Sequence, residues 1–192
     1  MILQALKEYY DRKAADPDSN LPPFGWERKE IPFLAVIDQN GRFLRFEDTR
    51  EGEGKKKRAR EFLVPSLGEK KGSGIKSNLF WENVEYMFGI PVPKKGKNEV
   101  NVERVAQQHE TFCARIERIR GDSAAIHAAK AFCRDKENAE RAKADPLWEE
   151  VLATNQSILL SLVGHGPVTN DAAVRTAVGS ADEAENPVVC QV

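Results

Sequence analysis

The sequence predicts an α+β fold in which a small, mainly antiparallel sheet with basic glycine loops is followed by a helical region. Two observations lead to this prediction. In the first half of the chain, short runs of branched and aromatic residues are separated by Gly, Asn and Pro, as in strands joined by turns. Beyond residue 99, apolar residues recur at the three- and four-residue steps of amphipathic helices. A chain of 192 residues is also long enough to bury a sizeable core.

The predicted sheet begins with a hairpin. Ile31 to Asp38 is a mostly apolar, branched run with strand character, and Arg42 to Phe46 returns as its partner. Between them, Asn40-Gly41 supplies the positive backbone angles of a tight turn. Glu61 to Pro65 is predicted to be a further short strand. We therefore expect the strands of the first half to pair mainly antiparallel.

A helix and a boundary follow the strands. Ser77 or Asn78 is placed to cap a helix that runs from Leu79 towards Phe88. Pro91 to Asn98 combines prolines, a glycine and lysines without periodicity, which indicates a boundary. We therefore divide the chain into a mixed α/β part with the basic loops, residues 1–93, and a mainly helical part, residues 99–192.

The second part is predicted to be helical with one exception. An apolar stripe from Val102 to Ile119 indicates a long helix, and Asp122 or Ser123 caps the next one. The apolar run between Asn155 and Gly164 favours a buried strand instead. Pro187 to Val192 begins like a strand and stops, so we expect this part to be truncated at its C-terminus.

The charges are unevenly distributed and indicate a polyanionic partner. The formal net charge is -1, yet the stretch from Arg50 to Asn78 holds nine Lys and Arg against four Glu. Lys55 to Arg58 are consecutive cations beside Gly52 and Gly54, and the loop from Ser66 to Lys76 is also rich in glycine and lysine. Because only one short strand separates these two loops, we expect both to project from the same end of a sheet.

Basic glycine loops suit a phosphate backbone, because cations release its counterions and glycine lets the chain approach closely. We expect seven side chains to contact phosphates: Lys55, Lys56, Lys57, Arg58, Lys70, Lys71 and Lys76. Ser73, Ser77 and Asn78 offer uncharged groups, and Asn78, with Ser77, is the candidate for reading a base edge. The predicted helix start after Asn78 would add the positive end of a dipole. A solvated charge run and a simple helix cap at Asn78 remain alternatives.

Enzymatic and metal-binding functions have less support. A strand, a glycine loop, Lys76-Ser77 and a helix occur in the order of a nucleotide-binding phosphate loop, but Ile75 and Lys70 stand where that motif needs glycine. His109, His127 and His165 are far apart and have no ligands at metal-binding spacing. We therefore predict a non-catalytic protein with no cofactor and no metal. A nucleotide-binding enzyme with a degenerate phosphate loop is the least favoured alternative.

The compartment is predicted from the cysteines and the N-terminus. Cys113, Cys133 and Cys190 are odd in number and widely spaced, which is typical of reduced thiols. The N-terminus lacks the features of a signal peptide, and no apolar run approaches the length of a membrane span. We therefore expect a cytoplasmic protein with no membrane partner.

Ordered blocks in the first half carry a family resemblance. They are Met1–Leu6, Tyr9-Tyr10, Ala15–Ser19, Ile31–Phe33, Glu47-Asp48, Arg50–Arg58, Phe62–Pro65, Ser73–Asn78 and Trp81–Asn83. Together they resemble the large subunit of the type I-C CRISPR surveillance complex, Cascade. Because members of that family are several times longer, the resemblance implies that this chain is an N-terminal portion.

The resemblance implies a role in RNA-guided antiviral defence. Such subunits recognise the protospacer-adjacent motif in double-stranded DNA and help to open the duplex for guide-RNA pairing, which supplies the remaining specificity. The implied partners are double-stranded DNA, the CRISPR RNA-containing complex with other Cascade subunits, and a nuclease-helicase recruited later. A scaffold module that contacts guide RNA or neighbouring subunits without reading DNA stays open as an alternative.

Overall fold

A computed structural model describes residues 21–52, 57–67, 74–93 and 101–185, with isolated positions between residues 4 and 13. Side chains of the last helix are described as far as residue 178. The predicted terminal strand, Pro187 to Val192, lies outside the described residues.

The predicted α+β class is confirmed. The described strands are β1 (Trp26–Glu30), β2 (Phe33–Ile37), β3 (Phe43–Asp48), β4 (Glu61–Pro65), β5 (Trp81–Glu82), β6 (Ile158–Leu162) and β7 (Gly166–Pro167). The helices are α1 (Val84–Phe88), α2 (Val102–Glu117), α3 (Ala124–Arg134), α4 (Asn138–Lys143), α5 (Trp148–Thr154) and α6 (Ala172–Glu185), with a 3-10 turn at Val168–Asn170. In the described ranges, no helix is long and apolar enough to cross a membrane.

The strands form a central sheet and a separate two-stranded ribbon. The central order is β3-β2-β6-β5, with β7 also paired to β6. Pairing is antiparallel except between β2 and β6, which run parallel. The ribbon consists of β1 and β4, paired antiparallel from Trp26 opposite Pro65 to Glu30 opposite Glu61. The predicted buried strand after Asn155 is β6, and all five of its residues are buried.

Both faces of the central sheet are covered, because side chains alternate between the faces along a strand. On one face, Phe33 and Ile37 of β2 belong to a large apolar cluster that includes Phe112 of α2 and Phe132 of α3. On the other face, Leu34 packs in a smaller cluster with Val64 and Trp81. Residues before 93 and after 99 thus share one core, while the two-part division stays a prediction.

The predicted hairpin turn is present and is fixed to the helical part, but of the predicted Asn40-Gly41 pair only Gly41 has a positive φ. Gly41 has a φ of +76°, and a Cβ atom there would lie 2.2 Å from the backbone nitrogen of Phe132. The buried Asn138 side chain accepts a hydrogen bond from Phe43 N at 2.8 Å and donates to Gly41 O at 2.8 Å. The turn therefore needs glycine for its conformation and for its close approach to α3.

The prediction of a helix beginning at Leu79 is wrong. Helix α1 begins at Val84, and its N-cap is Asn83, whose side chain accepts a hydrogen bond from Tyr86 N. Phe80 has a φ of +68°, and its carbonyl accepts a hydrogen bond from Leu160 N at 3.0 Å. Pairing of this segment with β6 replaces the helix, because a sheet contact distant in sequence outweighs a weak local preference.

Candidate nucleic-acid interface

The first basic loop is closed at its base by a pair of backbone hydrogen bonds. Glu51 N donates to Arg58 O at 2.9 Å, and Arg58 N donates to Glu51 O at 3.0 Å. Gly52 has a φ of +100°, which glycine adopts without strain as the chain turns out of this bridge. Lys57 and Arg58 are both exposed where the chain returns, whereas Lys55 and Lys56 lie outside the described residues.

A buried threonine ties the loop base to the ribbon. The Thr49 hydroxyl donates to Ile31 O at 2.5 Å and accepts a hydrogen bond from Arg60 N at 3.4 Å. Ile31 N also donates to Arg60 O at 3.1 Å. The backbone beneath Lys57 and Arg58 is therefore held by contacts outside the loop itself.

Arg60 extends this basic surface, although sequence reasoning did not select it as a contact residue. Its side chain is 60% exposed, and its pairing with Glu51 spans 3.4 Å between two exposed groups. Such a surface pair contributes little, so Arg60 can exchange Glu51 for a phosphate. The spacing of two residues between Arg58 and Arg60 could have predicted this role, because residues i and i+2 of an extended chain share a face.

Arg50, in contrast, has a structural role. Its guanidinium contacts both carboxylate oxygens of Asp48 at 2.7 Å and reaches Glu150 at 2.5 Å. It also lies 4.7 Å from the centre of the Phe33 ring, and only 13% of its side chain is exposed. The hydrogen bonds from Arg50 lower the pKa of Asp48, and the same pairing raises the pKa of Arg50. Arg50 therefore fixes β3 to α5 and does not add to the exposed basic surface.

The expectation that both basic loops leave one end of a sheet is wrong. One loop precedes Glu61 and the other follows Pro65, so they leave β4 at opposite ends. Five residues of strand separate these ends by roughly 15 Å. Lys70, Lys71 and Ser73 lie outside the described residues, and Lys76 is exposed. The described bases of the two loops therefore lie at opposite ends of the ribbon strand β4.

Ser77 and Asn78 are buried, with 2% and 7% exposure. The backbone N and the side-chain Nδ2 of Asn78 both donate to Oε1 of Glu82, at 2.8 and 3.1 Å. The Ser77 hydroxyl donates to Asn78 O at 2.8 Å, and Ser77 O accepts a hydrogen bond from Arg115 of α2. Neither residue caps α1, so the cap alternative for Asn78 and the expected helix dipole beside it are wrong.

A cleft of about 500 Å³ between the β2–β3 hairpin and α4 is also lined by arginines, namely Arg42, Arg45 and Arg141. Arg45 is paired with Glu47 at 2.5 Å, and Arg141 with Asp135 at 2.6 Å. Asp38 and Asp145 line the same cleft. Because carboxylates compensate its cations, this cleft suits a polyanion less well than the loop base does.

Within the described ranges, no group of three or more His, Cys, Asp or Glu side chains is placed to hold a metal ion. A phosphate loop also requires a helix directly after its Lys-Ser pair. Here the chain continues from Lys76-Ser77 as an irregular segment into the short strand β5. This geometry gives no support to nucleotide binding at Lys76.

The chain is thus an α+β protein in which hydrogen bonds fix the base of an exposed basic turn. The family model described as CRISPR-associated protein (Cas_Csd1) matches residues 6–192, and the chain therefore belongs to this family of CRISPR-associated proteins. The resemblance to a Cascade-type CRISPR protein is thereby confirmed at the level of the family. No curated protein matches the sequence.

Proposed function

We propose that this chain is the DNA-binding part of a type I-C Cascade large subunit, and that it comprises an N-terminal portion of that subunit. In this role it is a non-catalytic, cytoplasmic module that recognises the protospacer-adjacent motif in duplex DNA and aids duplex opening for guide-RNA pairing. The main support is the tied loop base, which presents Lys57 and Arg58 to solvent beside Arg60. Its partners are double-stranded DNA, the CRISPR RNA-containing complex with the other Cascade subunits, and the nuclease-helicase recruited later.

The loop base supports phosphate contact through two properties. Its described cations are exposed, and the ion pair of Arg60 with Glu51 joins two exposed groups, so these cations can displace counterions from DNA. Its backbone is fixed by the Glu51–Arg58 bridge and by Thr49, so less ordering is needed on binding. Phosphate contacts of this kind position the duplex and carry no sequence information.

Sequence readout is assigned to Asn78, with Ser77, as the proposed reader. In the described conformation the Asn78 amide donates to Glu82, so reading a base requires that this hydrogen bond break. DNA binding would then expose a segment that is closed without DNA. Lys76 is exposed next to this pair, and we assign it a phosphate contact in the opened segment.

The experiment is a binding selection on duplexes that contain a short randomised segment. Wild-type chain is expected to enrich a motif, and Asn78→Ala is expected to bind DNA with that enrichment lost. Gln39→Ala, which changes an exposed residue in the hairpin turn, is the matched control and should enrich the same motif as wild type. Equal enrichment by wild type and Asn78→Ala would remove Asn78 as the reader.

A scaffold function is the second candidate, and an exposed apolar turn favours it. Phe24 is 75% exposed and Leu21 45% exposed, just before β1. Exposed large apolar side chains this close together suit a protein neighbour better than DNA. In this case Phe24→Ser would prevent co-purification with the other Cascade subunits and leave duplex binding by the isolated chain unchanged.

A further inference from the structure

Helices α2 and α3 bring two cysteines and a histidine together. Cys113 lies one turn after His109 on α2, and its Sγ is 3.7 Å from Nε2 of His109. Cys133 lies near the end of α3, and its carbonyl oxygen is 3.9 Å from the Cys113 sulfur. Both cysteines are partly exposed, so a small reagent can reach them.

The histidine is oriented by a backbone carbonyl of α1. Nδ1 of His109 lies 2.8 Å from Tyr86 O, which can only accept, so Nδ1 carries the proton in this contact. In the neutral ring Nε2 is then an acceptor that faces the Cys113 thiol. A thiol next to a histidine oriented by a third group is the arrangement that activates cysteine nucleophiles.

Gly89 leaves room for this imidazole. A Cβ atom at Gly89 would lie 3.2 Å from Cγ of His109, and the residue has a φ of +66°. The same glycine ends α1 in the left-handed conformation. The end of α1 therefore supplies both the carbonyl that orients His109 and the space that the ring occupies.

The charges around the two thiols distinguish their roles. A hydrogen bond from Cys133, together with His109, lowers the pKa of Cys113 to about 6, although burial and Glu117 oppose this shift. The same hydrogen bond, with burial, raises the pKa of Cys133. Although burial alone lowers the pKa of His109, the Cys113 sulfur raises it above its ordinary value. Glu117 is itself paired with Arg134 at 2.8 Å, so this carboxylate is partly neutralised.

We propose that Cys113 and Cys133 form a modification site at which a hydroperoxide oxidises Cys113 and Cys133 then closes a disulfide between α2 and α3. In the first step the Cys113 thiolate attacks one peroxide oxygen and the O–O bond breaks. The sulfur is oxidised to sulfenic acid, while the departing oxygen takes up a proton and leaves as water or an alcohol. In the second step the Cys133 sulfur attacks the sulfenic sulfur, the S–O bond breaks, and water leaves with the Cys133 proton. A dithiol reductant restores both thiols.

The test uses the full chain with Cys190→Ser, so that only these two of its three cysteines remain. After hydrogen peroxide treatment and alkylation, mass spectrometry of peptides is expected to show a Cys113–Cys133 disulfide within one chain. With Cys133→Ser added, dimedone is expected to trap sulfenic acid at Cys113. Failure to form the disulfide, with both thiols still open to alkylation, would overturn the proposal.

The role of His109 is tested by the pH dependence of alkylation. In the reduced Cys190→Ser chain, Cys113 is expected to react with iodoacetamide with a midpoint near pH 6. His109→Gln should raise this midpoint by about one pH unit, because the imidazolium no longer stabilises the thiolate. In the chain that keeps His109, the ratio of Cys113 labelling to Cys133 labelling is a second measurement, and it needs no His109 variant. Equal reactivity of the two thiols below pH 7 would contradict the proposal.

Discussion

At the scale of single residues, Arg50 and Arg58 show how the same side chain serves two purposes in one basic stretch. Arg50 is 13% exposed and contacts Asp48 and Glu150, whereas Arg58 is exposed beside the loop. Composition alone cannot separate these cases, because the carboxylate of Glu150 is distant in sequence. The positive charge of the stretch was therefore predictable, but the division of its cations into structural and exposed groups was not.

The Asp48–Arg50 pair gives a pH-dependent contribution to stability. Arg50 lowers the pKa of Asp48 in the folded chain relative to about 3.9 in the unfolded chain. The contribution is therefore fully present above about pH 4 and is lost as the pH falls through the lower folded-state pKa. We expect Asp48→Asn to lower the free energy of unfolding by about 1–2 kcal/mol at pH 7, and the difference from wild type to shrink towards pH 2.5. Urea unfolding at both pH values measures it, and a difference that grows in acid would contradict the account.

Asn78 stabilises the segment before β5 through a buried carboxylate. Asn78→Ala removes the hydrogen bond from Nδ2 to Glu82, and the backbone hydrogen bond to the same oxygen remains. We expect the free energy of unfolding to fall by about 1–2 kcal/mol in chemical denaturation. An unchanged unfolding midpoint would mean that Asn78 is not closed onto Glu82 in solution.

At the scale of elements, local pattern predicted the strands β2, β3, β4 and β6, missed β1, β5 and β7, and predicted the first helix poorly. The hairpin, β4 and β6 follow from apolar runs and turn residues. The segment from Leu79 to Asn83 has a helical pattern, but Trp81 and Glu82 pair with β6, which lies more than 70 residues later. A pattern within a short window carries no information on a partner strand so distant in sequence. The residue at which the helix begins depends on the pairing with that strand.

The β2–β3 hairpin depends on Asn138 of α4. Its side chain contacts Phe43 N, Gly41 O and Phe132 O, and only 3% of the residue is exposed. Asn138→Ala leaves these buried backbone groups without partners, so we expect a loss of about 3 kcal/mol in the free energy of unfolding.

The control for this variant is Gln39→Ala, which changes an exposed residue in the same turn and should alter stability by less than about 0.5 kcal/mol. Denaturant titration compares the two variants under identical conditions. Similar losses in both would show that the turn itself, and not its link to α4, determines the effect.

At the scale of the whole molecule, the basic turn lies at the edge of a well-packed core. The ribbon covers one face of the central sheet and the helices cover the other. The turn from Glu51 to Arg58 precedes β4 of that ribbon, so the core fixes its base and leaves its cations in solvent. Changes to these cations should therefore alter binding and leave the fold intact.

The sequence alone predicted the α+β class, the turn and the family resemblance, because each depends on local residues. It did not predict the parallel pairing of β2 with β6 or the burial of Ser77 and Asn78. It also placed both basic loops at one end of a sheet, although the loops flank one strand. The pairing and the burial depend on contacts between distant parts of the chain, whereas the opposite placement of the loops follows from the order of the chain alone.

The most direct test of the account is the salt dependence of duplex DNA binding by fluorescence anisotropy. The triple variant Lys57→Gln, Arg58→Gln and Arg60→Gln is compared with a control that removes the same charge from exposed sites in the helical part, namely Arg118→Gln, Arg120→Gln and Lys136→Gln. If the three loop cations contact phosphates, the slope of log K against log salt should fall by about 3 in the loop variant. The control should retain the wild-type slope. Equal slopes in all three proteins, or no duplex binding by wild type at low salt, would contradict the assignment of this turn as a DNA-binding surface.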